Sequence, residues 1–203
     1  MRVLVACEFS GVVRDAFLAR GHDAWSCDLL PTASFEHSHR HIQGDVLKVL
    51  ANRRRYGKWD LMIAHPPCTY LCNSGVRWLY HQGTTRIEAQ RWADMEAGAA
   101  FFRALYDAKV PRVAVENPVM HGHAKEKVGV EFTQSIQPWQ FGHGETKRTC
   151  LWLRGLPPLR PTNIVSGRAP VVHFTSPGPD RGLLRSITYR GIADAMADQW
   201  GSL

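Results

Sequence analysis

The stretch that most constrains this chain is Trp59-Asp-Leu-Met-Ile-Ala-His-Pro-Pro-Cys-Thr-Tyr-Leu-Cys-Asn-Ser-Gly75. Residues 61–64 form a short apolar run that reads as a buried strand. Pro66 and Pro67 end it, because proline lacks the N–H that a ladder needs. A stiff turn then delivers Cys68 at the carboxyl-terminal mouth of the strand, where open α/β sheets keep their chemistry. On spacing alone two readings of Cys68 stay open: a nucleophile on a rigid mount, or a small buried hydrophobe, since cysteine is among the residues most often buried.

Upstream, residues 2–7 read as an apolar strand, Glu8-Phe-Ser-Gly11 as a tight turn, and residues 12–20 as a helix ended by Gly21. A second strand, 24–27, finishes at Asp28, 17 residues after Gly11. In a nucleotide-type βαβ unit, an acidic residue at that place is positioned for ribose hydroxyls. Val12 and Val13 stand where a phosphate-binding turn would carry another glycine, so the turn suits a cofactor without a pyrophosphate. The stretch 30–45 is polar. His37, His39 and His41 recur at spacing two without a carboxylate or cysteine partner nearby, which favours a solvated loop over a metal site. Asp45 opens a helix over 46–55 that ends in Arg53-Arg54-Arg55. It is a helix N-cap, a partner for an adenine amino group at the end of a third strand, or both.

Beyond Cys68, residues 71–85 form a loop in which Arg77, Trp78, Tyr80 and His81 interleave charge with aromatics. Such a loop can stack on a base and meet a phosphate, or serve as an ordinary lid. Residues 85–108 read as an amphipathic helix used for packing. The strand 112–118 carries Glu116 and Asn117 at its end, backed by Pro118, and both are expected at the same mouth as Cys68. A buried carboxylate is costly without a partner or a task, which favours a functional Glu116. Two further strands, within 133–142 and 145–154, and a final helix over 192–200 complete the pattern. Between them, residues 155–186 are rich in Pro, Gly and Arg and read as an irregular excursion.

The length of 203 residues suits one α/β domain over 1–203. The 25 Lys and Arg against 18 Asp and Glu give a net charge of +7, which suits a polyanionic partner, nucleic acid or a nucleotide. Cysteines 7, 27, 68, 72 and 150 are odd in number and sit mostly in apolar runs, the usage of a reducing compartment without a disulfide framework. No apolar run approaches the roughly 18–20 residues of a membrane span and no signal-like cleavage site opens the chain, so the expected location is cytoplasmic, with no membrane partner.

Taken in order, Phe9-Ser10-Gly11, Asp28, Asp45, Pro67-Cys68 and Glu116-Asn117 resemble the S-adenosylmethionine-dependent cytosine-C5 DNA methyltransferases, in the compact form of phage and prophage genomes acting in a bacterial host cell. The resemblance implies a Rossmann-like class I methyltransferase fold, a mostly parallel sheet with helices on both faces, and S-adenosyl-L-methionine as cofactor. Carried over by position, Phe9, Ser10, Gly11, Leu29 and Pro67 would line the cofactor pocket, Asp28 would take the ribose and Asp45 the adenine. Cys68 would be the nucleophile on cytosine carbon 6. Glu116, with its pKa raised by desolvation, would hold ring nitrogen 3, and Asn117 would steady the strand end. Lys147-Arg148, after Phe141-Gly142, is similar to the family's later arginine motif, which implies Arg148 as a base contact.

The family's sizeable target-recognition region is reduced here to about thirty residues between Arg154 and Ser186. This implies weak specificity on duplex or single-stranded DNA, a protein partner that supplies recognition, or a free cytosine nucleotide as substrate. A non-catalytic accessory protein that binds cofactor or DNA is the alternative from another class. His65 stands where the amino-methyltransferases carry an Asp or Asn that accepts from the amine.

Overall fold

The computed structural model describes residues 1–81 and 83–203. Seven strands, β1 (Arg2–Ala6), β2 (Asp23–Asp28), β3 (His41–Gln43), β4 (Leu61–Ala64), β5 (Arg112–Pro118), β6 (Gln134–Ile136) and β7 (Thr149–Arg154), form one sheet. Their spatial order is β3-β2-β1-β4-β5-β7-β6. The first five are parallel, and β7 runs antiparallel to both β5 and β6. The order reverses between β1 and β4, and such a switch point opens a crevice outside the carboxyl ends of the strands.

Alternation along each strand sends side chains to two cores. Val3, Val5, Leu61, Ile63, Ala114 and Leu151 face α1 (Val12–Leu18) and α7 (Arg190–Gly201), where they meet Phe17, Met196 and Trp200. Leu4, Ala6, Met62, Ala64, Val113 and Val115 face the opposite layer of α2 (Val46–Ala51), α4 (Ala89–Tyr106) and α5 (Gly122–Val128). Burial on both sides explains why β1, β4 and β5 read as continuous apolar runs. Helices therefore cover both faces, as expected.

Several boundaries differ from the sequence expectation for local reasons. The helix expected over 46–55 is broken at Asn52, whose side chain accepts from the Arg55 N–H and caps a separate turn, α3 (Arg53–Tyr56). The long helix begins at Ala89 because the chain before it folds back, with Ile87 bridged to Tyr80. Within 133–142 only β6 is extended, since Pro138 turns the chain into a short 3-10 segment. The last strand opens at Thr149 rather than 145.

The excursion 155–186 contains a 3-10 turn, Val171–Phe174, and a short helix, α6 (Arg181–Ser186). Its first part is well anchored. Leu159 and Gln134 exchange two hydrogen bonds of 2.8 and 2.6 Å, Trp200 Nε1 donates to the Pro157 carbonyl at 3.0 Å, and the Arg168 guanidinium lies 3.9 Å from the Trp139 ring centre. Among the described residues no helix is long and apolar enough to cross a membrane.

Candidate active site

At the end of β1, Cys7 takes a φ of +57° and the chain turns Glu8 inward. The buried Glu8 carboxylate accepts from the N–H groups of Val13 at 2.6 Å and Arg14 at 3.2 Å. The amino end of α1 is thus capped by the chain's own anion. Burial pushes the Glu8 carboxyl above its ordinary value, against those two hydrogen bonds. Gly11 has a φ of +76°, and a Cβ on it would collide with the Arg14 guanidinium and stand 2.8 Å from Ser34 Cβ. Only glycine meets both conditions. Arg14 is wholly buried, bonded to Asp15 at 2.8 Å and Ser26 at 2.9 Å, and its Nη2 has no partner among the described residues.

Asp28 ends β2 and Asp45 follows β3, and each spends one oxygen locally. Asp28 accepts from the Leu30 N–H and Asp45 from the Leu47 N–H, both at 2.9 Å. Asp45 is therefore the N-cap of α2, while its second oxygen remains for another partner. The two carboxylates converge beside Cys7. After burial, their charges are what pushes up the Cys7 thiol and raises Cys27 to about 12. Phe9 and Ser10 are half-buried on the neighbouring turn, Leu29 is exposed beside Asp28, and Pro67 is exposed across the crevice.

On the other side of the switch point, His65 leaves β4 on the same face as Glu116 of β5. Its Nδ1 lies 3.3 Å from Glu116 Oε2, only 8% of its side chain is exposed, and its Nε2 has no partner among the described residues. The two line a narrow cleft with Lys147, Thr149, Thr188 and Tyr189. Its volume of about 10 Å³ is room for roughly one water. Lys147 Nζ donates to the carbonyls of Arg185 at 2.7 Å and Ile187 at 3.3 Å, and Tyr189 donates to Glu145 at 2.6 Å. A ring the size of a pyrimidine enters only when this wall shifts.

Glu116 departs from the expectation of a raised pKa. Burial works in that direction, but the hydrogen bond from His65 and the charge of Lys147 outweigh it and hold the carboxyl below its ordinary value. Asn117 does not share the cleft. One step along β5 turns its side chain to the opposite face, where it is fully buried and neither amide atom has a partner among the described residues. Arg148 likewise points away and is exposed, and Lys147 stands beside Glu116 in its place.

The Cys68 turn is tied down by the Leu71 and Cys72 N–H groups, which both donate to the Cys68 carbonyl at 3.0 Å. Hydrogen bonds of 3.0 Å from Asn73 to Val119 and from His121 to Leu71 dock it on the segment after β5. Ser74 Oγ lies 3.1 Å from the Cys72 sulfur, and the Cys68 thiol is the neighbour on which Cys72 acts most. These contacts hold the Cys72 thiol below its ordinary value and push Cys68 up, with burial and the charges of Cys72 and Glu116 adding to the rise. Cys72, which no motif singles out, is the more acidic member of the pair. Its one signal in the sequence is the four-residue spacing from Cys68, one turn of helix.

In the following loop, the Arg77 guanidinium stacks 4.6 Å from the Trp78 ring and both are exposed, whereas Tyr80 turns inward against Trp92 and His123. His81 lies beside Glu88 at 3.5 Å. His37 lies 3.2 Å from Asp15, and His41 bonds Ser26 and the Leu30 carbonyl. No group of three or more potential metal ligands occurs among the described residues. A larger cavity of about 440 Å³, lined by Leu47, Trp59 and Val110, lies at the amino ends of β4 and β5, away from these side chains.

No protein-family profile matches the sequence, and no curated protein matches it. Solved structures do. A methyltransferase of Entamoeba histolytica superposes with a TM-score of 0.53 at 13% identity, covering 88% of this chain and 60% of that one. A putative DNA modification methyltransferase from an Escherichia coli prophage gives 0.50 at 16% identity, covering 87% and 55%. The fold is that of the Rossmann-like methyltransferases. The chain spans between 55% and 60% of the length of these two structures.

On this Rossmann-like methyltransferase fold the predicted residues separate into two groups. The charges of Asp28 and Asp45 act together on Cys7 over β1–β3, and the charge of Glu116 reaches Cys68 over β4 and β5, although Cys68 is not among the residues that line the His65–Glu116 cleft. Glu8, Arg14, His65, Cys72 and Lys147 join them, although no sequence motif marks Arg14 or Cys72 and the motif around Lys147 points to its neighbour Arg148.

Proposed function

We propose that this chain is a methyltransferase that moves the methyl group of S-adenosyl-L-methionine to carbon 5 of cytosine in DNA, through a covalent adduct on Cys68. The observation that carries the reading is the sheet order: β4, which ends just before Cys68, pairs with β5, which carries Glu116, on one side of the switch point, while Asp28 and Asp45 follow β2 and β3 on the other. The residues present suit the cofactor. Asp28 offers an acceptor for ribose hydroxyls, Asp45 one for the adenine amine, and the unpartnered Nη2 of Arg14 lies beside the Gly11 turn, where a methionine carboxylate would come. Glu8 already fills the amino end of α1, so a pyrophosphate has no place there.

When bound, the cofactor supplies an electrophilic methyl group. The protein's part is to make carbon 5 nucleophilic. Cys68 attacks carbon 6, and its proton passes to the neighbouring Cys72, which takes it as the thiolate. Ring nitrogen 3 takes a proton from solvent, and Glu116, held ionised, stabilises the charge that this places on the ring. Loss of the carbon 5 proton and expulsion of Cys68 then release the product. A cytosine in a duplex must first leave the stack, at a cost of a few kcal/mol. The stretch 143–190, with eight Lys and Arg against Glu145 and Asp180, supplies charge for a phosphate backbone. With so short an excursion, sequence recognition falls to a partner protein, and a free cytosine nucleotide is the smaller substrate the same site would accept.

One observation favours a second assignment within this chemistry: Cys72 is the more acidic thiol, so it is a competing nucleophile. Both are tested by labelled methyl transfer to duplex DNA, single-stranded DNA and dCMP, together with trapping on an oligonucleotide containing 5-fluorocytosine, whose carbon 5 cannot lose a proton after methylation. The trapped peptide should carry its adduct on Cys68, and Cys68→Ser should lose both adduct and label while Cys72→Ser keeps the adduct. An adduct on Cys72 reverses the two assignments. No transfer to any of the three substrates by protein that binds the cofactor leaves the accessory-protein reading.

A further inference from the structure

The cavity of about 440 Å³ at the amino ends of β4 and β5 lies between α2 and α3 on one side and, on the other, the last turn of α4 with its continuation into β5. Its volume falls within the roughly 300–1,000 Å³ of small-molecule sites. Leu47, Leu50, Trp59, Ala104 and Val110 make the lining apolar, and Arg53 and Lys109 are its charged side chains. Arg53 Nη2 donates to the Lys109 carbonyl at 2.7 Å, which ties the two walls together and holds a cation at the site. Among the described residues no acidic side chain lines the cavity. Asp60 and Asp107, the acids beside it in the chain, are engaged elsewhere: Asp60 accepts from the Arg2 N–H at 2.7 Å and Asp107 from Arg103 at 2.8 Å. Arg54, Arg55 and Lys58 add exposed positive charge nearby in the chain. The polar side-chain groups of the lining are all donors: Arg53, Lys109 and the indole nitrogen of Trp59, which is buried and without an acceptor among the described residues.

We propose that this cavity is a second ligand site, separate from the crevice, and that it takes a small apolar carboxylate. The hydrocarbon body leaves water among Leu47, Leu50 and Val110, which favours binding in proportion to the apolar area covered. The carboxylate answers the two cations and the surplus of donors. Arg53 spends one nitrogen on Lys109 and keeps further N–H groups for a planar anion, while Lys109 adds a point charge. A cation of the same shape would meet two like charges and no acceptor side chain. An uncharged analogue would gain the apolar contact alone.

The test is calorimetric titration of the full chain with 2-naphthoate and with 2-naphthamide, its uncharged counterpart of the same shape. Naphthoate should bind about tenfold more tightly than the amide. Arg53→Gln combined with Lys109→Gln should remove that advantage and leave the amide affinity unchanged, since glutamine keeps a donor for the Lys109 carbonyl. Ala104→Trp, which fills the cavity from the exposed side of α4, should lose both ligands. Thermal melts of both variants close to the wild type confirm that the fold survives. Equal affinity for acid and amide, no binding of naphthoate at millimolar concentration, or binding retained in Ala104→Trp overturns the proposal. So does displacement of naphthoate, at lower concentration, by an acetylated peptide with one phenylalanine among glutamates, because the cavity is then a docking point for a partner protein. None of the substituted residues belongs to the crevice, so the outcome stands apart from the reading of the active site.

Discussion

Glu116 is mostly buried between His65 and Lys147, and those neighbours, more than its burial, set its charge. A carboxyl whose folded pKa is depressed adds stability that is complete above its unfolded value, 4.5 for this side chain, and is lost as pH falls through the lower folded value. Urea unfolding of Glu116→Gln between pH 3 and 7 should therefore show a shallower loss of stability on the acid side than the wild type. An identical pH dependence would place the charge elsewhere. The same cluster shows what a sequence conveys at this scale. The residue types at the strand ends were legible, because a run such as Val113-Ala-Val-Glu-Asn-Pro118 stops being apolar where the strand leaves the core. Which of two neighbours faces the cleft was not. Glu116 and Asn117, and Lys147 and Arg148, differ by one step, and one step reverses the face of a strand once pairing fixes its register.

Among the elements, α7 does most to hold the cleft wall. It follows directly from Thr188 and Tyr189, and Gly191 lets its first turn approach the Phe141 carbonyl, where a Cβ would collide with the oxygen. Its far end is fixed by Trp200, wholly buried against α1 and bonded to Pro157, and Arg20 of the segment after α1 pairs with Asp194 and Asp198. Trp200→Ala should cost about 3–5 kcal/mol in urea unfolding. A loss below about 1 kcal/mol would mean that α7 is not part of the cooperative core. Elements were more legible than residues because periodicity survives without tertiary knowledge. Their ends were less so: Asn52, Ile87 and Pro138 stop or bend the chain through a side-chain cap, a fold-back bridge and a missing N–H, none of which a periodic pattern carries.

At the scale of the whole molecule, charge is unevenly placed, with the basic excess gathered in 143–190 and the exposed Arg181–Ser186 helix at its end. If this face meets a phosphate backbone, affinity for single-stranded DNA falls steeply with salt. Arg181→Ala with Arg185→Ala should then lower the slope of log K against log salt by about 1.4, about 0.7 for each phosphate that the variant no longer neutralises. An unchanged slope would move the backbone contacts elsewhere. The sheet order carries a different consequence, through the turn at its switch point. Glu8 occupies the helix end that nucleotide-binding folds commonly reserve for phosphate. A protein that has closed that position with its own carboxylate is indifferent to the most abundant nucleotides around it, so nucleoside triphosphates and dinucleotides should compete poorly for the crevice, and a cofactor must be chosen by its sugar and base.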